Sequence, residues 1–309
     1  MKKALVLGAS GGMGYSIVNE LQSKGVEVVA FARTEEKLQK LFAKRSGITI
    51  FPGDVFQYEE LVKAAQGVDV IFHSVNIPYY EWASKQEFLM TNIVKASEQV
   101  GSKLVVVDNI YAYGISNGEK ITEDSPKNPH TKKGAIRLKL ETIVKSSATP
   151  WLIVHFPDFY GPNAENTVLG QTLQGVSNNK SGIFIGRKYL KKEFIYTPDG
   201  AKAIVELANK ENAFGQSWNI PGYGVITGNE ILKILKEETG YNKRVFTITK
   251  RMVRVYGLFD KMMREFVEMM YLNEEPVVLS GEKYEKEIGP VPKTPYREGL
   301  IKTLETMKK

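Results

Sequence analysis

The sequence has 309 residues, no cysteine, three histidines, a formal net charge of +7 and a pI near 9.2. The lack of cysteine excludes disulfides, thiolate zinc sites, protein-ligated iron–sulfur clusters and thiol nucleophiles, and it fits a reducing cytoplasm. The cations are spread along the chain, and no apolar run approaches the roughly 20 residues of a membrane span, so neither a nucleic-acid nor a membrane partner is expected.

Short apolar runs alternate with helical patterns over the first half. Met1-Lys2-Lys3 leads straight into Ala4–Leu7, too short an apolar stretch for a signal peptide and better read as a buried strand. A helix is expected over 13–24, a strand at Val26–Phe31, a charged helix over 34–44, a strand at Ile48–Phe51, a helix at Tyr58–Gln66 and a strand at Val68–Phe72. A helix over 84–100, a strand at Leu104–Val107, a helix over 134–148 and a strand at Trp151–Phe156 follow. Continuous apolar strands alternating with helices predict a doubly wound parallel α/β sheet covered on both faces.

The alternation loosens after about residue 160. Helices are expected over 164–178, 199–210, 228–238 and 294–307, with short strands at Ile183–Ile185 and Glu193–Thr197. Thr227 with Glu230 matches a capping box, and Gly240 suits a helix stop. Residues 250–271 read as one long amphipathic helix rich in Met and Phe, serving the lobe's core or a subunit contact. The expected division is a dinucleotide-binding domain over 1–160 and a smaller substrate lobe over 161–309, with sheet-edge elements free to return to the first domain.

The motif that carries chemistry is Gly8-Ala9-Ser10-Gly11-Gly12-Met13-Gly14, set between the first strand and the first helix. Glycines there permit a tight turn and let backbone N–H groups and the helix N-terminus approach a pyrophosphate. The second strand ends at Ala32-Arg33, where an NAD site carries an acid for the ribose 2′-hydroxyl. A guanidinium at Arg33 suits a 2′-phosphate instead, so NADP is expected ahead of NAD.

These features resemble the extended branch of the short-chain dehydrogenase/reductase superfamily, the NAD-dependent epimerase/dehydratase family, across nearly the whole chain. The resemblance implies a Rossmann fold. It implies that Asp54 and Val55 face the adenine and that His73, Ser74 and Val75 line the cofactor. Tyr113-Gly114, Phe159-Tyr160-Gly161-Pro162 and Tyr196 with Asp199 fall in register with that family. Pro157, after the sixth strand, is placed to touch the nicotinamide side.

The family's catalytic signature is missing. Aligned on Tyr113-Gly114, Asn109 takes the Ser/Thr position; aligned on Gly134 and Glu141, Lys133 and Arg137 take the places of Tyr and Lys. Lys133 and Arg137 share a helix face. Arg137 cannot release its proton, so its expected role is to hold the nicotinamide ribose or an anionic substrate group. Lys133 is a candidate general acid, and Tyr111 another, with a phenol pKa lowered by positive neighbours. His73, His130 and His155 are too scattered for a metal site, and His155 reads as a core histidine. The aromatic run Pro78–Trp82 covers either the nicotinamide or the substrate pocket, or meets the C-terminal lobe.

The expected function is an NADP-dependent oxidoreductase acting on a small carbonyl or alcohol, with a non-standard proton donor and a homodimer as a possible assembly. Two alternatives stand beside it: a non-catalytic protein that senses NADP(H), and a nucleotide-sugar epimerase or dehydratase.

Overall fold

The computed structural model describes residues 1–307. In chain order it runs β1 (Lys3–Leu7), α1 (Gly12–Ser23), β2 (Glu27–Ala32), α2 (Glu35–Phe42), β3 (Ile48–Pro52), α3 (Tyr58–Ala65), β4 (Val70–His73), α4 (Trp82–Val100), β5 (Lys103–Asn109), β6 (Lys120–Ile121), α5 (Lys132–Lys145) and β7 (Trp151–Phe156). It continues with β8 (Asp158–Tyr160), α6 (Gly170–Ser177), β9 (Gly182–Ile185), β10 (Lys191–Tyr196), α7 (Thr197–Ala208), β11 (Gln216–Asn219), β12 (Val225–Thr227), α8 (Gly228–Thr239) and β13 (Val245–Ile248). The last elements are α9 (Lys250–Tyr256), α10 (Lys261–Phe266), β14 (Val278–Leu279), α11 (Glu282–Glu287) and α12 (Tyr296–Met307).

Seven parallel strands form the central sheet in the order β11-β7-β5-β4-β1-β2-β3. Successive side chains of β1 point to opposite faces, as the strand period of two requires: Ala4 and Val6 join one apolar core, Leu5 and Leu7 the other. The first core packs α1, α2 and α7 on one face; the second packs α3, α4 and α5 on the other. The fold is therefore the doubly wound Rossmann type. The chain winds outward from β1 to β3, then crosses back to β4, which leaves a crevice at the carboxyl ends of β1 and β4.

Residues beyond 160 also build this layer, since α7 packs on α1 and β11 pairs with β7 at the sheet edge. The lobe consists of the three-stranded sheet β12-β10-β8, the pairs β13-β9 and β14-β6, and a third core joining α6, α8 and α12. The capping box at Thr227 and Glu230 is formed, and Gly240 ends α8 at φ +69°.

The single helix expected over 250–271 is instead three pieces: α9, α10 and a 3-10 stretch over Val267–Asn273. Periodicity cannot see the break, but two local features make it. Gly257 closes α9 where a Cβ would come within 2.9 Å of the Arg264 backbone. Asp260 then caps α10, its carboxylate accepting the Met263 N–H at 2.7 Å. The expected helix over 164–178 is shorter, beginning at Gly170, and α5 begins at Lys132, capped by the Thr131 hydroxyl.

Candidate active site

The crevice begins with a cradle made of backbone. Gly8 sits at φ +82°, and a Cβ on it would stand 3.0 Å from the Ser74 backbone at the end of β4. Gly8 and Ala9 both donate to the Phe31 carbonyl, at 3.0 and 3.1 Å, tying the turn to the end of β2. A Cβ on Gly14 would lie 2.2 Å from the Gly8 carbonyl oxygen, so the helix can approach the turn only without a side chain. No side chain caps the N-terminus of α1 at Gly11. Its first N–H groups are thus left for an anion, and the cradle fits a dinucleotide pyrophosphate.

The remaining cofactor candidates fall around this cradle with different parts to play. Ser74 anchors β4 to β1, its hydroxyl donating to the Leu7 carbonyl at 2.8 Å. Arg33 is exposed two residues beyond Phe31, beside the glycine turn. Asp54 closes its own turn, one carboxylate oxygen accepting from the Phe56 N–H at 3.1 Å, and Val55 is buried beneath it. Met13 turns inward against Gly200 of α7, so only its backbone faces the crevice. Gly12 is overlaid by Ala164, and Asn163 donates to the Ser10 carbonyl at 2.8 Å, bringing the 161–169 loop across the cradle. His73 is buried, and burial together with the Arg137 charge pushes its pKa down to about 3, so it is a neutral spacer. Pro157 is buried at the end of β7.

Beyond the cradle lies a cluster of polar and aromatic side chains. Asn109 accepts the Tyr111 N–H at 3.0 Å and so sets the turn that presents Tyr111. The Tyr111 and Tyr79 hydroxyls meet at 2.7 Å. Tyr79, Tyr111 and Asp158 are each half-buried. The charge of Asp158 bears on Tyr79, Tyr111 and Tyr271 together. Burial raises the Tyr79 pKa to about 12 and lifts Tyr111 well above the ordinary phenol range. The expectation of a lowered Tyr111 pKa is therefore corrected: desolvation raises it, and neighbouring Tyr79 and Asp158 raise it further. Asp158 is itself raised by burial, and Lys192, desolvated to about 8, partly offsets this. The Tyr271 hydroxyl is buried with no hydrogen-bond partner, its ring edge-on to His130 at 4.5 Å.

Lys133 and Arg137 lie beside this cluster on α5 but turn to different acids. Arg137 Nε stands 2.7 Å from Asp108 Oδ1, and the guanidinium lies over the Trp82 ring at 5.5 Å. The pair is electrostatic, since Nε has no aligned acceptor. Arg137 is thus held by Asp108 through Nε alone, and among the described residues no ion pair takes up its two terminal nitrogens. Lys133 is buried between Glu265 and Glu268, the latter at 2.9 Å, and stands 5.9 Å from the centre of the Tyr79 ring. Glu268 also accepts the Lys132 N–H at 2.8 Å at the start of α5, and Phe266 stacks on Tyr79 at 6.2 Å. The C-terminal segment therefore roofs the site.

Beneath it, Glu141 is held by Lys127 at 2.5 Å, Lys145 at 2.9 Å and His155 at 3.1 Å. Asp108, Glu141 and His155 offer ligand atoms within 4.8 Å of one another. Cations already face both acids, so the trio reads as a charge network bracing α5 against β5 and β7. Sequence reasoning missed Tyr79 as a polar partner, together with Lys192, Tyr271, Asp108, Glu265 and Glu268. The aromatic run at 78–82 was the one signal for Tyr79.

A doubly wound sheet with a glycine cradle at its switch point defines a Rossmann-type dinucleotide-binding protein. The chain belongs to the NAD(P)H-binding family, which matches residues 8–182. It is 22% identical to an isoflavone reductase homolog of Nicotiana tabacum over 77% of this chain and 74% of that protein. It is 21% identical to a 4-hydroxy-2-methyl-3-oxo-4-farnesyl-3,4-dihydroquinoline-1-oxide ketoreductase of Stigmatella aurantiaca, covering 96% of this chain and 94% of that one. Among solved structures, a UDP-glucuronic acid 4-epimerase from Bacillus cereus in complex with NAD superposes with TM-score 0.79 at 18% identity, over 99% of this chain and 100% of that one. A dTDP-glucose 4,6-dehydratase from Bacillus anthracis in complex with NAD gives TM-score 0.81 at 16% identity, over 100% and 97%. These structural likenesses establish the fold. No helix among the described residues is long and apolar enough to cross a membrane.

Proposed function

We propose that the protein is an NADP(H)-dependent reductase of an apolar, ring-bearing carbonyl compound. The observation that carries this is the Tyr79–Tyr111 hydroxyl pair beyond the glycine cradle. Aromatic rings of Tyr79, Trp82, Tyr111 and Phe266 crowd together there, surroundings suited to a flat apolar substrate. The ketoreductase and reductase names of the curated relatives support the same reading.

Bound NADP(H) would supply the hydride, held by the Gly8–Gly14 turn and the N-terminus of α1, with Arg33 toward the 2′-phosphate. The chain's own groups do the rest. Phenols with raised pKa stay protonated at neutral pH; one hydroxyl of the Tyr111–Tyr79 pair donates to the other, which leaves one O–H to polarise a carbonyl oxygen. The Lys133 ammonium, held between Glu265 and Glu268, is the proton donor. Asn109 and Asp108 are positioning residues: one orients Tyr111, the other holds Arg137 against Trp82.

The test is NADPH oxidation against a panel of aromatic ketones and enones, paired with cofactor titration of Arg33→Ala. The expected result is turnover, with NADPH affinity reduced about tenfold in the variant and NADH affinity unchanged. Equal loss for both cofactors would remove the NADP preference. The commitment of Lys133 and Arg137 to ion pairs favours one other reading, a non-catalytic NADP(H) sensor, which predicts tight NADPH binding without turnover.

A further inference from the structure

The hairpin formed by α9 and α10 has two unlike sides. Its inner side is anchored: Val253 is buried, Phe266 stacks on Tyr79, and Glu265 and Glu268 meet Lys133. Its tip is compact, with the Arg264 guanidinium donating to the Gly257 carbonyl at 2.9 Å. Yet the tip presents bare apolar side chains in succession. Val255 is 59% exposed, Tyr256 57%, Leu258 69% and Phe259 88%, the last the most exposed large apolar side chain among the described residues.

Charge is sorted in the same way. Residues 250–264 carry five cations, Lys250, Arg251, Arg254, Lys261 and Arg264, against a single carboxylate, Asp260, which is spent on capping α10. Arg251, Arg254, Lys261 and Arg264 are all exposed beside the apolar tip. The segment's other acids, Glu265 and Glu268, point inward to Lys133. An exposed Leu-Phe tip ringed by cations matches a surface that is apolar just beneath a negatively charged layer.

We propose that this hairpin docks the protein on an anionic lipid bilayer, with Leu258 and Phe259 entering the acyl–headgroup boundary and the four exposed cations meeting lipid phosphates. The exposed tip departs from the lobe-core reading of this segment, while the alternative reading, a subunit contact, is decided by the experiment below. Docking puts the roof of the site against the bilayer, where an apolar substrate would partition. The inference does not depend on the redox reading, because membrane binding can be measured without turnover.

The experiment is co-sedimentation of the full chain with vesicles of phosphatidylcholine alone and of phosphatidylcholine mixed with phosphatidylglycerol. Binding to the mixed vesicles is expected to exceed that to neutral ones by about tenfold or more and to weaken with added salt. Leu258→Ser combined with Phe259→Ser is expected to lower binding by about tenfold or more, with an unchanged circular dichroism spectrum and thermal midpoint, since both side chains are exposed. Failure of the wild type to bind the mixed vesicles would overturn the proposal, as would equal binding by the double variant. A dimer seen by sedimentation velocity and abolished by the double variant, without vesicle binding, would also overturn it by assigning the tip to a second copy of the chain.

Discussion

The first hundred residues and the rest of the chain are stabilised in different ways. Among the described residues, no Asp, Glu, Lys or Arg before residue 108 is fully buried. From there on Asp108, Lys133, Arg137, Glu141, Lys192, Glu193 and Asp199 all are. The cradle needs no charged side chain, because backbone N–H groups and a helix terminus serve an anion. The later part holds the Tyr111 hydroxyl and the Lys133 ammonium in fixed, desolvated places. Each buried charge there needs a partner, and breaking a buried pair is costly. A site of this kind combines a scaffold set by steric fit with a reactive wall set by electrostatic matching.

Three perturbations test that contrast, taken from the largest expected effect. Gly14→Ala places a Cβ 2.2 Å from the Gly8 carbonyl oxygen, so α1 must shift. Calorimetry should show NADPH affinity lower by about a hundredfold, from a cost of about 3 kcal/mol in overpacking. Wild-type affinity would show that the cradle is not set by steric fit. Glu141→Gln removes the acid shared by Lys127, Lys145 and His155, and chemical denaturation should report a loss of about 3 kcal/mol. NADPH affinity should hold if the two parts are independent.

The smallest effect is a pH dependence. Burial raises the Glu193 pKa to about 7 from 4.5. A raised folded-state pKa gives stability that is complete below 4.5 and lost as pH rises through about 7. Glu193→Gln should therefore match the wild type near pH 5 and melt a few degrees higher near pH 8. A uniform change across that range would place the charge in solvent-like surroundings.

The same contrast explains what the sequence discloses. The glycine turn, the alternating strands and the capping box at Thr227 are local, so spacing alone reveals them. Lys133 and Arg137 are visible as cations on one helix face, but their acids lie elsewhere: Asp108 on β5, and Glu265 and Glu268 over a hundred residues away. No periodicity encodes such pairing. The Tyr111 pKa was misjudged for a related reason, since charge can be counted along a chain while desolvation depends on enclosure. The helix over 250–271 fails at Gly257 and Asp260, where two local stop and start signals sit inside an amphipathic pattern.

If the Lys133 side and the glycine cradle serve one substrate, hydride must pass from the cofactor to a carbonyl compound held beside Lys133. NADPH bearing deuterium at nicotinamide C4, with mass spectrometry of the product from an aromatic ketone or enone, measures this. Label is expected on the reduced carbon with the wild-type protein. In Lys133→Met transfer is expected to slow by about a hundredfold at unchanged NADPH affinity. Tight NADPH binding with no label transferred to any such acceptor, or full transfer in the Lys133 variant, would rule this out.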